Sequence, residues 1–525
     1  MINKKRDNRF FYFSLILIAM SVYMVFSHGL KNAVAFSVID DGMYYPKIAV
    51  NFWQSYKITY DSVTITNGFH PLWLLINLPI YFILKNPLTA LWGTYFLIFI
   101  LLEFSLWFFC RISRELNVSV AGSIVAAIII FFNLRSFTIF YSLLEAPLVL
   151  FVYLIYIFYM IKDKNKRFSS PKSSFISGLL IGIGFLARTD TVFLALSFMT
   201  IFIYKSIKYK IGMKTFFSTG LSACFGFIIP ALPYMIANKI FMRSFGQVSA
   251  AHKINMFSFS SIKIAIQDFY DYLLPRLVYL LGLKTGSFFL IQIIVVFIIC
   301  AILYVIIYFK LYKKISPLLS GLQEFVLFAA IHFTFVFLFT PDQFFKSSWY
   351  YVSELLLLGI LIGIIIPETK KLKIAAASIF ILIISLQVLY YPYYLRKKTM
   401  TFAKIEVADF IKNNIPGNAV LAMYDSGIVS YFSQRNFISL NGLIGDFGIS
   451  ELCNKQEYEK LAQKYHVNYL VIDIIPGSNK LYKGNELFVG KIKTKFMNFS
   501  EPQKVFAVFQ VTPDQLQTNI SLRNK

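Results

Sequence analysis

Charge is scarce in this chain. Only 15% of its 525 residues are Asp, Glu, Lys or Arg, against about 25% in an ordinary soluble domain. Acids are scarcer than bases, 26 against 51, which leaves a formal net charge of +25. Cysteine is rarer still: Cys110, Cys224, Cys300 and Cys453 stand far apart, with no Cys-x-x-Cys pair. That excludes a disulfide framework and a zinc site built on paired cysteines. The sequence also lacks His-Glu-x-x-His, a Walker loop and Gly-x-Ser-x-Gly, so the zincin, P-loop and α/β-hydrolase readings fall away. It has no internal repeat and no low-complexity tract.

What is present is apolar. Hydrophobic residues make up 57% of the chain, where soluble proteins have about 45–50%. They gather in runs, about ten of which reach or approach the roughly 20 residues that a transmembrane helix requires. The basic residues fall in short clusters between the runs, as topology anchors do. No long basic stripe with interleaved aromatics exists outside the runs, so the positive charge is not a nucleic-acid surface. The composition predicts a mainly α polytopic membrane protein.

Charge parity then predicts a path with about 11 crossings. The basic start, Lys4, Lys5, Arg6 and Arg9, places the N-terminus in the cytoplasm, and residues 10–30 form an uncleaved first span rather than a signal peptide. A first outside loop, 31–87, contains a 14-residue apolar stretch, 71–84, that is short for a span and suits an interfacial helix. Further spans follow over about 88–110, 119–139 and 146–161. The stretch 174–204 is flanked on both sides by lysines, so it must cross twice: 174–187 and 191–204 form a hairpin with Arg188-Thr189-Asp190 at its outer tip. Spans over 216–237, 287–309, 322–340, 350–366 and 374–394 complete the membrane part, residues 1–395. An odd number of crossings places residues 396–525 outside the cytoplasmic membrane. That tail reads as a small α/β domain, with a helix over 402–414, strands at 419–423, 469–473 and 505–511, and a helix over 455–465.

Ionisable residues at a membrane boundary are functional candidates by default. Asp40, Asp41, Lys47, His70, Glu145, Arg188, Asp190, Lys253 and Lys346 come from separate loops yet all face the outer compartment in this topology. Adjacent Asp40 and Asp41 are a candidate acid or base, since like charges at low dielectric raise one pKa; a plain polar helix end is the competing reading. Glu145 suits a substrate-orienting carboxylate or an N-terminal helix acid. Arg188 either pairs with Asp190 or offers its fork to a phosphate. Lys253 either meets a lipid phosphate or snorkels. Trp349, Tyr350 and Tyr351 open a span as an aromatic belt does, and His332, inside a span, reads as a satisfied core residue.

The run Asp40-Asp41-Gly42-Met43-Tyr44-Tyr45-Pro46-Lys47-Ile48-Ala49, followed by Thr66-Asn67-Gly68-Phe69-His70-Pro71-Leu72-Trp73, resembles the first loop of bacterial GT-C glycosyltransferases. Those enzymes are relatives of protein O-mannosyltransferases and lipid A aminoarabinose transferases. Tyr141–Leu148 is similar to the family's Gly-Met-Glu turn, with Leu143-Leu144 standing where the family has Gly-Met. Leu186–Asp190 resembles its Arg-x-Asp hairpin, Phe245–Lys253 its Gly…Ser…Lys segment with Val248 in place of Pro, and Ala408–Gly442 its outer domain. The resemblance spans nearly the whole chain.

It implies a polyprenyl-phosphate monosaccharide donor, a glycan, lipid or protein acceptor reached from outside, and inversion at the sugar. Asp41 or Asp40 would take the acceptor proton. Lys47, His70, Glu145, Arg188, Asp190, Lys253 and Tyr350 would bind substrate or lipid phosphate. O-mannosyltransferase-type relatives need no metal, whereas oligosaccharyltransferase-type relatives do; with Asp40, Asp41 and Glu145 all present a divalent metal stays open here, though none is expected. The alternative is a transporter or flippase for a lipid-linked glycan or other solute. Transporters tend to place charges at the midplane of paired halves, whereas this chain gathers them at one face without a repeat. A structural subunit of a glycan-export complex has no specific support.

Overall fold

The computed structural model describes residues 29–132, 134–163, 166, 168–253, 321–340, 348–366, 400–474, 482–490 and 505–523. The chain is mainly helical. Among the described residues four helices are long and apolar enough to cross a membrane: Pro87–Glu115, Thr189–Lys208, Met213–Met242 and Gly321–Phe339. Shorter apolar helices cover Pro71–Leu84, Val120–Phe131, Ala146–Lys162, Pro171–Ala187 and Trp349–Ile365. This is a multi-pass membrane protein. The expected spans over 287–309 and 374–394, most of the expected first span, and Lys346 fall outside the described residues.

Local sequence explains where these helices begin. Pro71, Pro87 and Pro171 each open a helix, where a missing N–H costs nothing and the fixed φ suits the first turn. Asn86 caps the second of these, its side chain accepting from Leu88 N and Thr89 N. The single span expected over 119–139 is instead three consecutive pieces: Val120–Ala127, a widened π-type turn at Ile128–Phe132, and Leu134–Phe140. The break falls on three successive isoleucines, Ile128 to Ile130, whose branched side chains crowd a regular helix at every position.

The expected hairpin is present. Pro171–Ala187 runs to an extended Arg188, a short 3-10 turn covers Thr189–Thr191, and Val192–Lys208 runs back. Its first arm packs on the Met213–Met242 helix through small residues. A Cβ at Gly178 would collide with the Ala223 carbonyl oxygen, and one at Gly226 with that of Phe175. Membrane helices that lack a hydrophobic drive to associate rely on such backbone approach. Here it fixes the arm that presents Arg188.

The C-terminal unit holds a five-stranded sheet in the order β2-β1-β3-β5-β4. The strands are β1 Val420–Met423, β2 Asn436–Ser439, β3 Tyr469–Ile474, β4 Asn485–Gly490 and β5 Val505–Gln510. β1 runs parallel to β2 and β3, while β5 is antiparallel to β3 and β4. Side chains alternate between the two faces of a strand. Ala422, Ile438, Leu470, Ile472, Ala507 and Phe509 pack on the unit's own helices, with Leu461 and Leu516. Their neighbours Leu421, Met423, Phe437, Val471, Phe506 and Val508 join the apolar core continuous with the membrane part. The sheet is therefore covered on both faces. β1, β3 and β5 and the two helices appear where the sequence pattern predicts them; β2 and β4 are additional.

Replacing Gly178 with Leu should destabilise the protein by about 1–3 kcal/mol through overpacking, read as a lower Tm in detergent. Gly212→Ala is the comparison: a Cβ there meets nothing within 4 Å, and Tm should fall far less, by no more than the loss of a glycine N-cap costs.

Candidate functional site

The first loop builds one wall of the site. Asp40–Met43 form a 3-10 turn that continues into the helix Tyr44–Ser55. Gly42 lies so close to the turn before Glu145 that a Cβ would collide with the Ser142 carbonyl oxygen. Trp73, from the interfacial helix, donates to the Leu143 carbonyl at 2.9 Å. Asn67 ties the loop to the segment before Lys253, donating to Gly246 O at 2.9 Å and accepting from Val248 N at 3.0 Å. Gln247 completes this tie by donating to Phe69 O at 2.8 Å.

These elements surround a cavity of about 250 Å³ lined by Asp41, Tyr44, Tyr45, His70, Glu145, Arg188, Asp190, His332 and Tyr350, among others. The charged groups interlock. Arg188 is only 4% exposed. Its Nε donates to Asp190 Oδ2 at 2.7 Å, and its Nη1 to the Trp349 carbonyl at 2.7 Å and to Glu145 Oε1 at 3.3 Å. Its guanidinium carbon lies 4.4 Å from the centre of the Tyr350 ring. Nη2 makes no hydrogen bond among the described residues, and Arg188 itself lines the cavity. Glu145 also accepts from Tyr45 Oη at 2.9 Å, and His70 Nε2 lies 3.5 Å from it.

Most residues singled out in the sequence meet here. Asp41, His70, Glu145, Arg188, Asp190 and Tyr350 share the cavity. Arg188 and Asp190 do pair, and the same arginine still faces the cavity. Lys253 ends the helix Val248–Lys253, whose Ser249 and Ala250 line the cavity; its side chain lies outside the described residues. Lys47, expected at a lipid phosphate, does not line this cavity. It is buried, at 2% exposure, and the charge that acts on it is Arg435 of the C-terminal unit; burial first, then Arg435, pushes its ammonium down to about 7.

Two contributors were not assigned a role from sequence. His332 is a buried, satisfied residue as expected, yet it also lines the cavity. Its Nε2 lies 3.2 Å from Asp190 and its Nδ1 2.8 Å from Glu354. Glu354 had a signal of its own, a carboxylate in an apolar run. Among the described residues no three His, Cys, Asp or Glu side chains are grouped so that they could hold a metal ion.

The two first-loop aspartates part company. Asp41 lines the cavity, whereas Asp40 turns to the C-terminal unit, where Lys404 Nζ lies 2.5 Å from Oδ2 and Ile428 N donates to Oδ1 at 3.2 Å. Burial pushes the Asp40 carboxyl up to about 6, against the pull of Lys404; the like charge that adds to the rise is Asp425, rather than the Asp41 expected from sequence. Because the folded value lies above that of an unfolded carboxyl, Asp40 contributes stability that is fully present below about pH 4 and is lost as pH rises through about 6. Asp40→Asn removes this titration. The Tm of the variant relative to the unmodified protein should therefore be higher at pH 7.5 than at pH 4.5; equal differences at both would show that Asp40 does not titrate in this window.

Comparison with known proteins follows the same division. A family model described as a domain of unknown function, DUF8728, matches residues 393–513. No curated protein matches the sequence. Among solved structures, ArnT from Cupriavidus metallidurans bound to undecaprenyl phosphate aligns over 94% of this chain and 97% of its own, with 10% identity and a TM-score of 0.52. The apo state of the same protein aligns over the same shares, with 11% identity and a TM-score of 0.49. The arabinofuranosyltransferase AftD from Mycobacteria aligns over 95% of this chain and 41% of its own, with 9% identity and a TM-score of 0.40. At such identities the first of these shows the fold alone: the chain shares the fold of this ArnT structure, the fold that the first-loop resemblance implies.

Proposed function

We propose that this protein transfers a monosaccharide from a polyprenyl-phosphate donor to an acceptor hydroxyl at the outer face of the cytoplasmic membrane, with inversion. The observation that carries this reading is the meeting of Asp41 and Arg188 in one cavity. A base and an anion-binding fork are the two groups that such a transfer requires. That the ArnT structure of the same fold contains undecaprenyl phosphate supports the donor class.

In the proposed step, the acceptor oxygen attacks C1 of the sugar as its proton passes to the Asp41 carboxylate. The bond between C1 and the phosphate oxygen breaks, and the lipid phosphate leaves with the electron pair. Arg188 binds the charge that develops on it. Asp190, Glu145 and the Trp349 carbonyl hold the guanidinium in place, and Tyr350 covers its face. His70 positions the phosphate or the acceptor, and Lys253 supplies a second cation at the end of its helix. Lys47 serves the interior rather than the phosphate. The proposed step calls on groups of this chain alone. The membrane part makes about 11 crossings, with the N-terminus cytoplasmic and the C-terminal unit extracytoplasmic.

Purified protein supplied with radiolabelled polyprenyl-phosphate sugars and candidate acceptors should release labelled product. Asp41→Asn should cost about 10²–10⁴-fold in kcat, the usual contribution of a general base. Arg188→Lys keeps the charge but loses the fork, and should cost about 10–100-fold in kcat/KM for the donor, the equivalent of one charged hydrogen bond. EDTA should leave the rate unchanged. Labelled donor that crosses a vesicle membrane intact, with no transfer in any variant, would identify a flippase instead.

A further inference from the structure

The role of the C-terminal α/β unit follows from what it touches. It reaches the first loop at several places, four of which bear on the aspartate turn. Lys404, from the helix over 400–414, closes on Asp40 at 2.5 Å and also donates to the Asp425 carbonyl at 3.2 Å. Gly427 lies so close that a Cβ would collide with the Asp40 carbonyl oxygen, and the next residue, Ile428, donates to the Asp40 carboxylate. Ser426 Oγ and Tyr60 Oη are 2.8 Å apart. Asn441 donates to Tyr44 Oη at 3.0 Å, and two residues on, Leu443 lines the cavity itself.

Asp40 and Asp41 are neighbours in a 3-10 turn, where three residues complete a revolution and successive side chains diverge by about 120°. Both carboxylates cannot face one way. Whichever group fixes the first therefore sets the direction of the second. Asp40 is fixed from the C-terminal side by an ammonium, a backbone amide and a glycine that admits no side chain. The remaining direction takes Asp41 to the cavity. The Tyr44 ring, held by Asn441 on one edge and packed against Tyr60 at 5.0 Å between centroids, keeps the following helix from turning back.

We propose that the C-terminal unit, a domain of unknown function in sequence terms, is the positioning element of the site: Lys404 holds Asp40, and Asp40 so held aims Asp41 into the cavity. Lys404 and Asp40 are positioning residues, with Asp41 the group that meets substrate. This rests on the glycosyltransferase reading for its activity readout but not for its structural one.

Three full-length variants test it. Lys404→Met should lower kcat by about 100-fold, the cost of a small misplacement at the reacting atoms, and leave the donor KM within about twofold. Lys404→Arg, which keeps a donor at that place, should recover most of the rate. The double variant Asp40→Asn, Lys404→Met leaves neither charge of the pair unpartnered, guards against a folding defect, and retains an acceptor for Ile428 N; it should transfer sugar faster than Lys404→Met alone. An unchanged kcat in Lys404→Met would overturn the proposal. So would an inactive double variant combined with an Asp40→Asn as dead as Asp41→Asn, since Asp40 would then act on substrate directly. Hydrogen exchange at the amides of residues 41–44 provides the readout that needs no substrate: faster exchange in Lys404→Met supports the clamp, and equal protection refutes it. If the unmodified protein transfers no sugar from any donor, the functional reading fails while the exchange result still decides the positioning role.

Discussion

The buried guanidinium of Arg188 is the charge around which the site is assembled. Moving such a group out of water costs several kcal/mol, and the fold repays it with partners from three separate segments: Asp190 on its own hairpin, Glu145 at the start of the Ala146–Lys162 helix, and the carbonyl of Trp349. Each partner is then constrained in turn. Glu145 orients Tyr45 and draws His70 near. Asp190 draws in His332, which brings Glu354. Five stretches of chain are thereby tied to one cation in a medium where a broken pair would leave a bare charge. Because two of its donors, Nε and Nη1, are spent on the protein, the arginine keeps its orientation with the cavity empty, and ligand binding pays little further ordering cost.

Much of this arrangement was legible in the sequence, and the reason is physical. In lipid, backbone polar groups must be satisfied within helices, so apolar runs map to helices almost directly. Charge parity supplied the 171–208 hairpin, because lysines on both flanks admit only an even number of crossings. The first-loop motif was legible because its residues do several jobs at once: Asn67 ties one loop, Trp73 another, and Gly42 admits a carbonyl. What escaped has equally definite causes. The π-type turn at Ile128–Phe132 leaves the hydrophobic period almost untouched. β2 and β4 carry polar residues, Asn436 and Ser439 in one and Asn485 and Glu486 in the other, that blur the alternation. His332 and Glu354 look like isolated charges in apolar runs until packing brings them to Asp190. Lys47 follows the motif in sequence, but whether a helical lysine meets a cavity or a neighbouring unit depends on what covers that face.

One departure from the family pattern has a visible trace in the backbone. Leu143 stands where the resemblance has glycine, and its φ is +66°, in the left-handed region that branched side chains rarely enter. The turn keeps that shape because Trp73 donates to the Leu143 carbonyl and the Ser142 carbonyl abuts Gly42. The neighbouring contacts thus impose a conformation that the local sequence would not choose. Strain of this kind persists only where its surroundings over-determine it, and here the surroundings are the first loop itself.

The contact between Asp40 and Lys404 joins residues 364 positions apart. A ribosome makes the first loop before the C-terminal unit, and at about 5–20 residues per second tens of seconds separate the two. During that interval the membrane helices can insert, but the turn bearing both aspartates has no Lys404, no Ile428 amide and no Asn441 to hold Tyr44. An unfinished or truncated chain would hold the reactive loop without its aim. On the proposed clamp, the arrival of the C-terminal unit would be the step that gives the turn its direction.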